Sequence, residues 1–403
     1  MTSSSIAKFL IISMSAIYSV GVIAAEEQSL PNRVPGAPRS IIPFSDQKLQ
    51  KDLKAVATID EHQLILNDIT YGGGYGGNEQ TGMLAYDGMP YHLAPLVIRR
   101  DDKKKRCFLE NKNAGVYHYN FFGSLKLVSY GCPLANKYHN DVYWNESLDK
   151  RNGGYSTDND ALYASMMVNR MYEDWFGISV SQKADGSPLP IKIATHESGC
   201  LAYAYVDKNL IVLGDGDKTR YPLTSPGVVA FTMSYFFTEQ HSNLDYDHPQ
   251  SGAISIAFGA MADQAVKFYL NGKNDWQIGS EVSKTGQPFY YMDQPSKDCG
   301  THSAGDDCSI DHMSQYKEKM KGYYSSGIYR RAFYLLATTP GWDVKKAFSV
   351  MVQANRFYWA SKQDFSKGVC GIIKAARDLQ YNESAVIDAF NEVGVSSQNC
   401  QIS

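Results

Sequence analysis

The chain has 403 residues, of which 43% are hydrophobic and 12% aromatic, and its formal net charge is −3. A chain of this kind buries a large core in roughly two or three domains, which excludes a disordered protein. The near-neutral balance also excludes a basic nucleic-acid surface, because the one charged run, DDKKKR at Asp101–Arg106, reads as a mixed-sign turn.

At the N-terminus, Lys8 precedes an apolar run from Phe9 to Ile23 and the small pair Ala24-Ala25, the pattern of a secretory signal peptide over residues 1–25. A retained anchor is the alternative. The run is short for a membrane span, however, and carries Ser13, Ser15, Ser19 and Gly21, so an extracellular location is expected. No second long apolar segment follows, so no membrane span is expected after signal removal. Residues 26–50 are rich in Pro and Ser and read as a linker.

From Val56 to Gly216, short β-branched and aromatic runs alternate with Gly and Asn turns, which predicts a mostly β region. One helix interrupts it, DNDALYASMMVNRMYEDWFG, with Asp158 or Asn159 as N-cap and Gly177 as its stop. LAYAYVDKNLIVLGDGD follows and reads as a strand. Beyond Tyr221 the apolar period becomes helical, through VVAFTMSYFFTEQ, SGAISIAFGAMADQ, SSGIYRRAFYLL, VKKAFSVMVQANRF and ESAVIDAFNEV. The expected architecture is therefore α+β, with a β-rich N-terminal lobe over 51–245 and a helical lobe over 246–403.

An oxidising destination makes the seven cysteines candidates for disulfides. Cys107 and Cys132 flank an alternating, hairpin-like segment. Cys299 and Cys308 bracket a Gly/Ser/Asp loop, and Cys370 and Cys400 bracket the last helices. Cys200 is left as a buried free thiol. The loop with Cys299, Cys308 and His302 lacks any metal-ligand spacing, so a staple is the simpler reading.

Several long blocks carry a resemblance: GGYGGNEQTG, EDWFG, LGDGD, FTEQHSNLDY, SGAIS, YMDQPSKD, YSSGIYRRAFYLLATTPGWD and VCGIIKAARDLQYN. In order, from about Gly73 to the C-terminus, they resemble the thermolysin-like neutral zinc metallopeptidases, especially the vibriolysin and pseudolysin branch. The resemblance implies a two-lobed fold with a substrate cleft between the lobes. It also implies a helix carrying H-E-x-x-H, two zinc histidines around a catalytic Glu, with a third zinc ligand on the next helix.

Those positions hold other residues here. The histidine slots are Phe231 and Tyr235, the Glu slot is Thr232, and the third ligand is Ile256. The Asp that supports a zinc-bound His aligns with Ala260, and the transition-state His with Tyr323. The substrate-binding Arg and Asn align with Tyr290 and Tyr203, while Tyr246 keeps the family's oxyanion tyrosine. The calcium cage reads Gly227, Gln264 and Lys267, with only Asp275 kept. Neither zinc nor calcium is therefore expected as a cofactor, and the chain is expected to be catalytically inactive. Such enzymes also carry a long inhibitory propeptide, whereas fewer than about fifty residues precede the similar region here, too few for a domain.

The large replacements have two readings. They fill the volume vacated by metal and water, which suits Phe231 and Ile256. Alternatively they line the old cleft as an aromatic surface for a peptide, protein or glycan, which Tyr203, Tyr290, Tyr323 and Tyr246 could do. A relocated metal site at His241, Asp245, Asp247 and His248 would instead make an active hydrolase, although a polar loop explains that cluster. Ser234 has no His or Asp at a useful spacing for a nucleophile. A protein valued only for its surface, as a structural element or decoy, is the third class; oligomeric state is not legible.

Overall fold

The computed structural model of the chain describes residues 39–40, 68–119, 124–137, 139–300, 308–398 and 400. The signal segment, most of the linker and His302 lie outside them. In chain order the strands of the first half are β1 (Arg39–Ser40), β2 (Ile69–Asn78), β3 (Gly82–Ala85), β4 (Leu96–Asp101), β5 (Arg106–Phe108), β6 (Ala114–Tyr119), β7 (Leu125–Leu127), β8 (Ser129–Gly131) and β9 (Tyr143–Asn145). Helix α1 (Thr157–Phe176) leads to β10 (Ile191–Glu197), β11 (Ala202–Tyr205) and β12 (Leu210–Gly214). Helices α2 (Pro226–Gln240) and α3 (Pro249–Asn271) are followed by β13 (Gln277–Ile278) and β14 (Tyr290–Tyr291), and then by α4 (Gly322–Ser325), α5 (Gly327–Thr338), α6 (Val344–Phe357), α7 (Phe365–Asp378) and α8 (Glu383–Glu392).

Two sheets form the N-terminal lobe. One runs β1-β11-β12-β10-β6-β7, and the other β3-β2-β4-β5-β8 with β9 pairing to β2. Helix α1 packs on strands of both. The glycine run of β2 follows from that packing: a Cβ on Gly76 would lie 2.0 Å from Asp160 Oδ1 of α1. Only glycine lets strand and helix approach so closely.

The α+β plan stands, with local differences. LAYAYVDKNLIVLGDGD is not one strand but the antiparallel pair β11 and β12, turned by a short 3₁₀ segment and Asn209 at φ 49°. The segment between Cys107 and Cys132 is shared by both sheets, since β6 and β7 pair in one while β8 pairs with β5 in the other. Helix α1 begins after Ser156 rather than at Asp158 or Asn159, because the Asp158 side chain is drawn away to His118 and Thr195. It does end at Gly177, left-handed at φ 67°. The C-terminal lobe is helical apart from the small β13–β14 pair.

Cys107 is bonded to Cys132, Cys299 to Cys308 and Cys370 to Cys400. Cys200 is unbridged, half-buried between β10 and β11, and burial pushes its thiol up to about 12. No described helix is long and apolar enough to cross a membrane.

Candidate binding cleft

Helix α2 is apolar all round, and every residue from Gly227 to Thr238 is buried. Such a helix belongs in a protein interior. Ser225 caps it by accepting from the Val228 N–H, and Pro226 occupies its first turn. Phe231 and Tyr235, four residues apart, share one face, their rings edge to face at 6.0 Å. The Phe231 ring lies on Gly259 of α3, where an added Cβ would meet it at 2.8 Å. The Thr232 hydroxyl donates to the Val228 carbonyl and that of Ser234 to the Phe231 carbonyl, so both are spent within the helix.

The face of this helix toward β11 is covered by part of the chain itself. Strand β1 pairs antiparallel with the edge strand β11, Ser40 opposite Tyr203 and Arg39 opposite Ala204. The Ser40 carbonyl oxygen accepts from three phenols: Tyr235 at 2.7 Å, Tyr246 at 3.3 Å and Tyr323 at 3.4 Å. The Ser40 N–H donates to Tyr246 Oη at 3.4 Å, and the hydroxyls of Tyr246 and Tyr323 lie 2.6 Å apart. Burial pushes all three phenols up, Tyr235 and Tyr323 well above the ordinary value. They therefore remain protonated donors at neutral pH. Arg39, buried, pairs with Glu239 and donates to the Tyr235 carbonyl.

At the far side of α3 a second centre is built on a lysine. Lys267 Nζ lies 3.0 Å from Asp263 Oδ1, 3.2 Å from Asp275 Oδ1 and 3.0 Å from Glu281 Oε2. It also donates to the Gln277 carbonyl at 2.6 Å. Burial works against this ammonium, yet Asp263, Glu281 and Asp275 together hold it above its ordinary range.

Residues 93–239 match the thermolysin metallopeptidase catalytic domain, and residues 242–395 its alpha-helical domain. The chain belongs to the thermolysin metallopeptidase family. A zinc metalloproteinase of Legionella pneumophila is 37% identical over 341 residues, 82% of this chain and 61% of that protein. The virulence metalloprotease of Vibrio anguillarum is 38% identical over 81% of this chain and 49% of its own length. The chain thus spans about half to three-fifths of the relatives it matches. The precursor of protealysin from Serratia proteamaculans shares the fold, at a TM-score of 0.55 and 20% identity over 71% of this chain and 89% of that one.

The family's zinc does not fit the residues present. Phe231, Tyr235 and Ile256 are all buried and offer no nitrogen or carboxylate, and the Tyr235 hydroxyl is engaged by Ser40. Calcium fits no better, because Lys267 puts a fixed positive charge among the carboxylates. No chemical step can be routed through either ion. What the cleft can do is hold a carbonyl oxygen and an extended backbone.

Of the four tyrosines expected to line the cleft, Tyr246 and Tyr323 meet at the Ser40 carbonyl. Tyr203 supplies the pairing backbone while its ring packs edge-on to Tyr205 at 5.3 Å. Tyr290 is buried with the Arg330 guanidinium 4.5 Å from its ring centre, and its hydroxyl has no hydrogen-bond partner among the described residues. Arg39, Ser40 and Glu239 carry no signal in the sequence that points to this site, and Tyr235 is marked there only by the resemblance. Nothing in the local sequence PGAPRSIIP marks a strand that reaches a helix 195 residues away.

The cluster after α2 disperses. The His241 ring lies tilted against Phe237 at 4.3 Å and His248 caps α3 by accepting from the Ser251 N–H. Burial pushes the His241 imidazole down to about 4, with Arg356 adding to the shift. Unfolded, it takes up a proton below about 6.5. Its stabilising contribution is therefore complete above 6.5 and lost as pH falls toward 4. For a ring that keeps some solvent contact the loss should be about 1–2 kcal/mol. His241→Phe should remove that part of the acid sensitivity, read as a smaller drop in urea-unfolding free energy between about pH 7 and pH 4.5. An unchanged drop would mean that His241 does not carry it.

Proposed function

We propose that this protein is a secreted, catalytically inactive member of the thermolysin metallopeptidase family whose former substrate cleft binds an extended peptide. In the folded chain that peptide is its own Arg39–Ser40 segment. The observation that carries this reading is the Ser40 carbonyl, held by Tyr235, Tyr246 and Tyr323 while its strand pairs with β11. These contacts address a peptide backbone through edge-strand pairing and so favour a peptide over a glycan. They polarise the carbonyl, yet no group beside it delivers a hydroxide. Secretion rests on the signal-like residues 1–25. An external peptide competes with the chain's own segment, which lowers its apparent affinity by the fraction of molecules in which the cleft is open.

Two measurements test this. Purified protein supplied with zinc should cleave neither casein nor peptide libraries in a chelator-sensitive manner; such cleavage would restore the active-peptidase reading. A labelled peptide PGAPRSIIPF should bind at least ten-fold more tightly to an Arg39→Glu variant, in which the own strand is repelled by Glu239, than to the parent chain. A further Tyr246→Phe/Tyr323→Phe change should abolish that gain. If the Arg39→Glu protein binds no better than the parent, the cleft is a filled core and the peptide-binding role is wrong.

A further inference from the structure

Away from α2 and α3, the fold gathers two histidines and two aspartates that no sequence spacing links. His118 lies on β6, Asp149 follows β9, Asp158 begins α1 and His196 ends β10. His118 Nε2 is 2.7 Å from Asp158 Oδ2. His196 Nε2 is 3.6 Å from Asp158 Oδ1 and 3.4 Å from Asp149 Oδ2. One donor atom from each of His118, Asp158 and His196 falls within 4.8 Å of the others. The two rings stand edge to face with centroids 4.7 Å apart.

Four features make this more than a polar cluster. Among the described residues, Asp149 Oδ1 is buried without a hydrogen-bond partner and His196 Nε2 has only the long contacts to Asp149 and Asp158, an arrangement that proteins ordinarily avoid. The other imidazole nitrogen, His196 Nδ1, is fixed by Asp215 Oδ1 at 2.9 Å, so Nε2 is the atom left facing the aspartates. That is the carboxylate–histidine arrangement which orients an imidazole toward a metal. Asp158 is itself oriented, accepting from the Thr195 hydroxyl at 2.7 Å. Finally, the β10 ladder shifts register between Ala194 and Glu197, and His196 takes a left-handed φ of 64°. A bulge and a strained backbone of this kind re-aim a side chain.

We infer that His118, Asp158 and His196 form a structural binding site for a divalent transition metal of the zinc class, with Asp149, 3.4 Å from His196, as the carboxylate nearest the fourth position. Donors about 2.0–2.1 Å from a tetrahedral ion stand about 3.3 Å from one another, close to the 3.4 and 3.6 Å separations at His196 and a small opening from 2.7 Å at His118. Two neutral imidazoles and two carboxylates balance the charge of such an ion. The site joins strands of both sheets at the start of α1, and the half-exposed His118 gives the ion a route from solvent. The competing account of the same geometry is an imidazolium lying among three carboxylates, with no metal.

The experiment uses the full chain without a polyhistidine tag, stripped with chelator and then given Zn²⁺ or Co²⁺ alone. One zinc per chain is expected, together with the intense visible absorption of tetrahedral cobalt. Asp215→Asn, which frees the His196 ring, should weaken zinc binding by about 10–100-fold. His118→Ala alters a half-exposed ligand and should abolish the cobalt absorption, circular dichroism serving to confirm its fold. Zinc below one-tenth of an equivalent in the folded parent, or an unchanged cobalt spectrum in His118→Ala, would overturn the site and leave the imidazolium cluster.

Discussion

Lys267→Met should lower the unfolding free energy by about 3–5 kcal/mol at neutral pH, the loss typical of breaking a buried charge cluster from one side. The ammonium is nearly buried and faces Asp263, which has no solvent contact at all and whose carboxyl burial pushes up, together with Asp275 and Glu281. Asp263 Oδ2 already lacks a hydrogen-bond partner, so without Nζ the cluster keeps its desolvation cost and loses its attraction. The defect should shrink in acid, where protonated carboxylates need no counter-charge. A Lys267→Glu variant separates charge from packing: it should be destabilised in chelator but partly restored by millimolar calcium, which needs several carboxylate oxygens. Urea unfolding of the three proteins decides the matter. A loss below about 1 kcal/mol in Lys267→Met would mean that the lysine does not hold the carboxylate cluster together.

Phe231→Ala should cost about 3–5 kcal/mol, the range for deleting a buried aromatic ring where the surroundings cannot collapse. The site is rigid because the ring is sandwiched in the α2–α3 contact, resting on Gly259 and edge-on to Tyr235. Gly259→Ala tests the same contact from the other side, since its Cβ would meet the ring at 2.8 Å. In the double variant the new methyl has room, so the two losses should combine to less than their sum. Strict additivity would mean that ring and glycine do not meet. A Phe231→Ala loss under about 1 kcal/mol would mean that the ring is not tightly packed in the α2–α3 contact.

Much of the plan was legible in the chain. The β-rich first half, the helical second half and the disulfide pairs come from local periodicity and short spacings, where neighbours in sequence are neighbours in space. Helix α2 could be recognised because apolar residues run through VVAFTMSYFF between Pro226 and the polar Glu239-Gln240. The start of α1 was misplaced because Asp158, a good N-cap by type, is claimed by His118 and Thr195 from strands that its own sequence does not contain. Likewise LAYAYVDKNLIVLGDGD carries strand-forming residues throughout, and only the turn at Asn209 divides it.

The sequence by itself determined the family and its two-lobed fold, because each depends on residue type at positions ordered along one chain. Only the tertiary structure decided which distant groups meet. A carbonyl from Ser40 reaches three tyrosine hydroxyls, a lysine ammonium sits among three carboxylates, and two histidines from different strands face Asp149 and Asp158. Each of these pairs an electrostatic or hydrogen-bonding need with a partner supplied from elsewhere in the fold. Burial makes leaving such a group unpaired costly, but it does not say from which distant segment the partner will come.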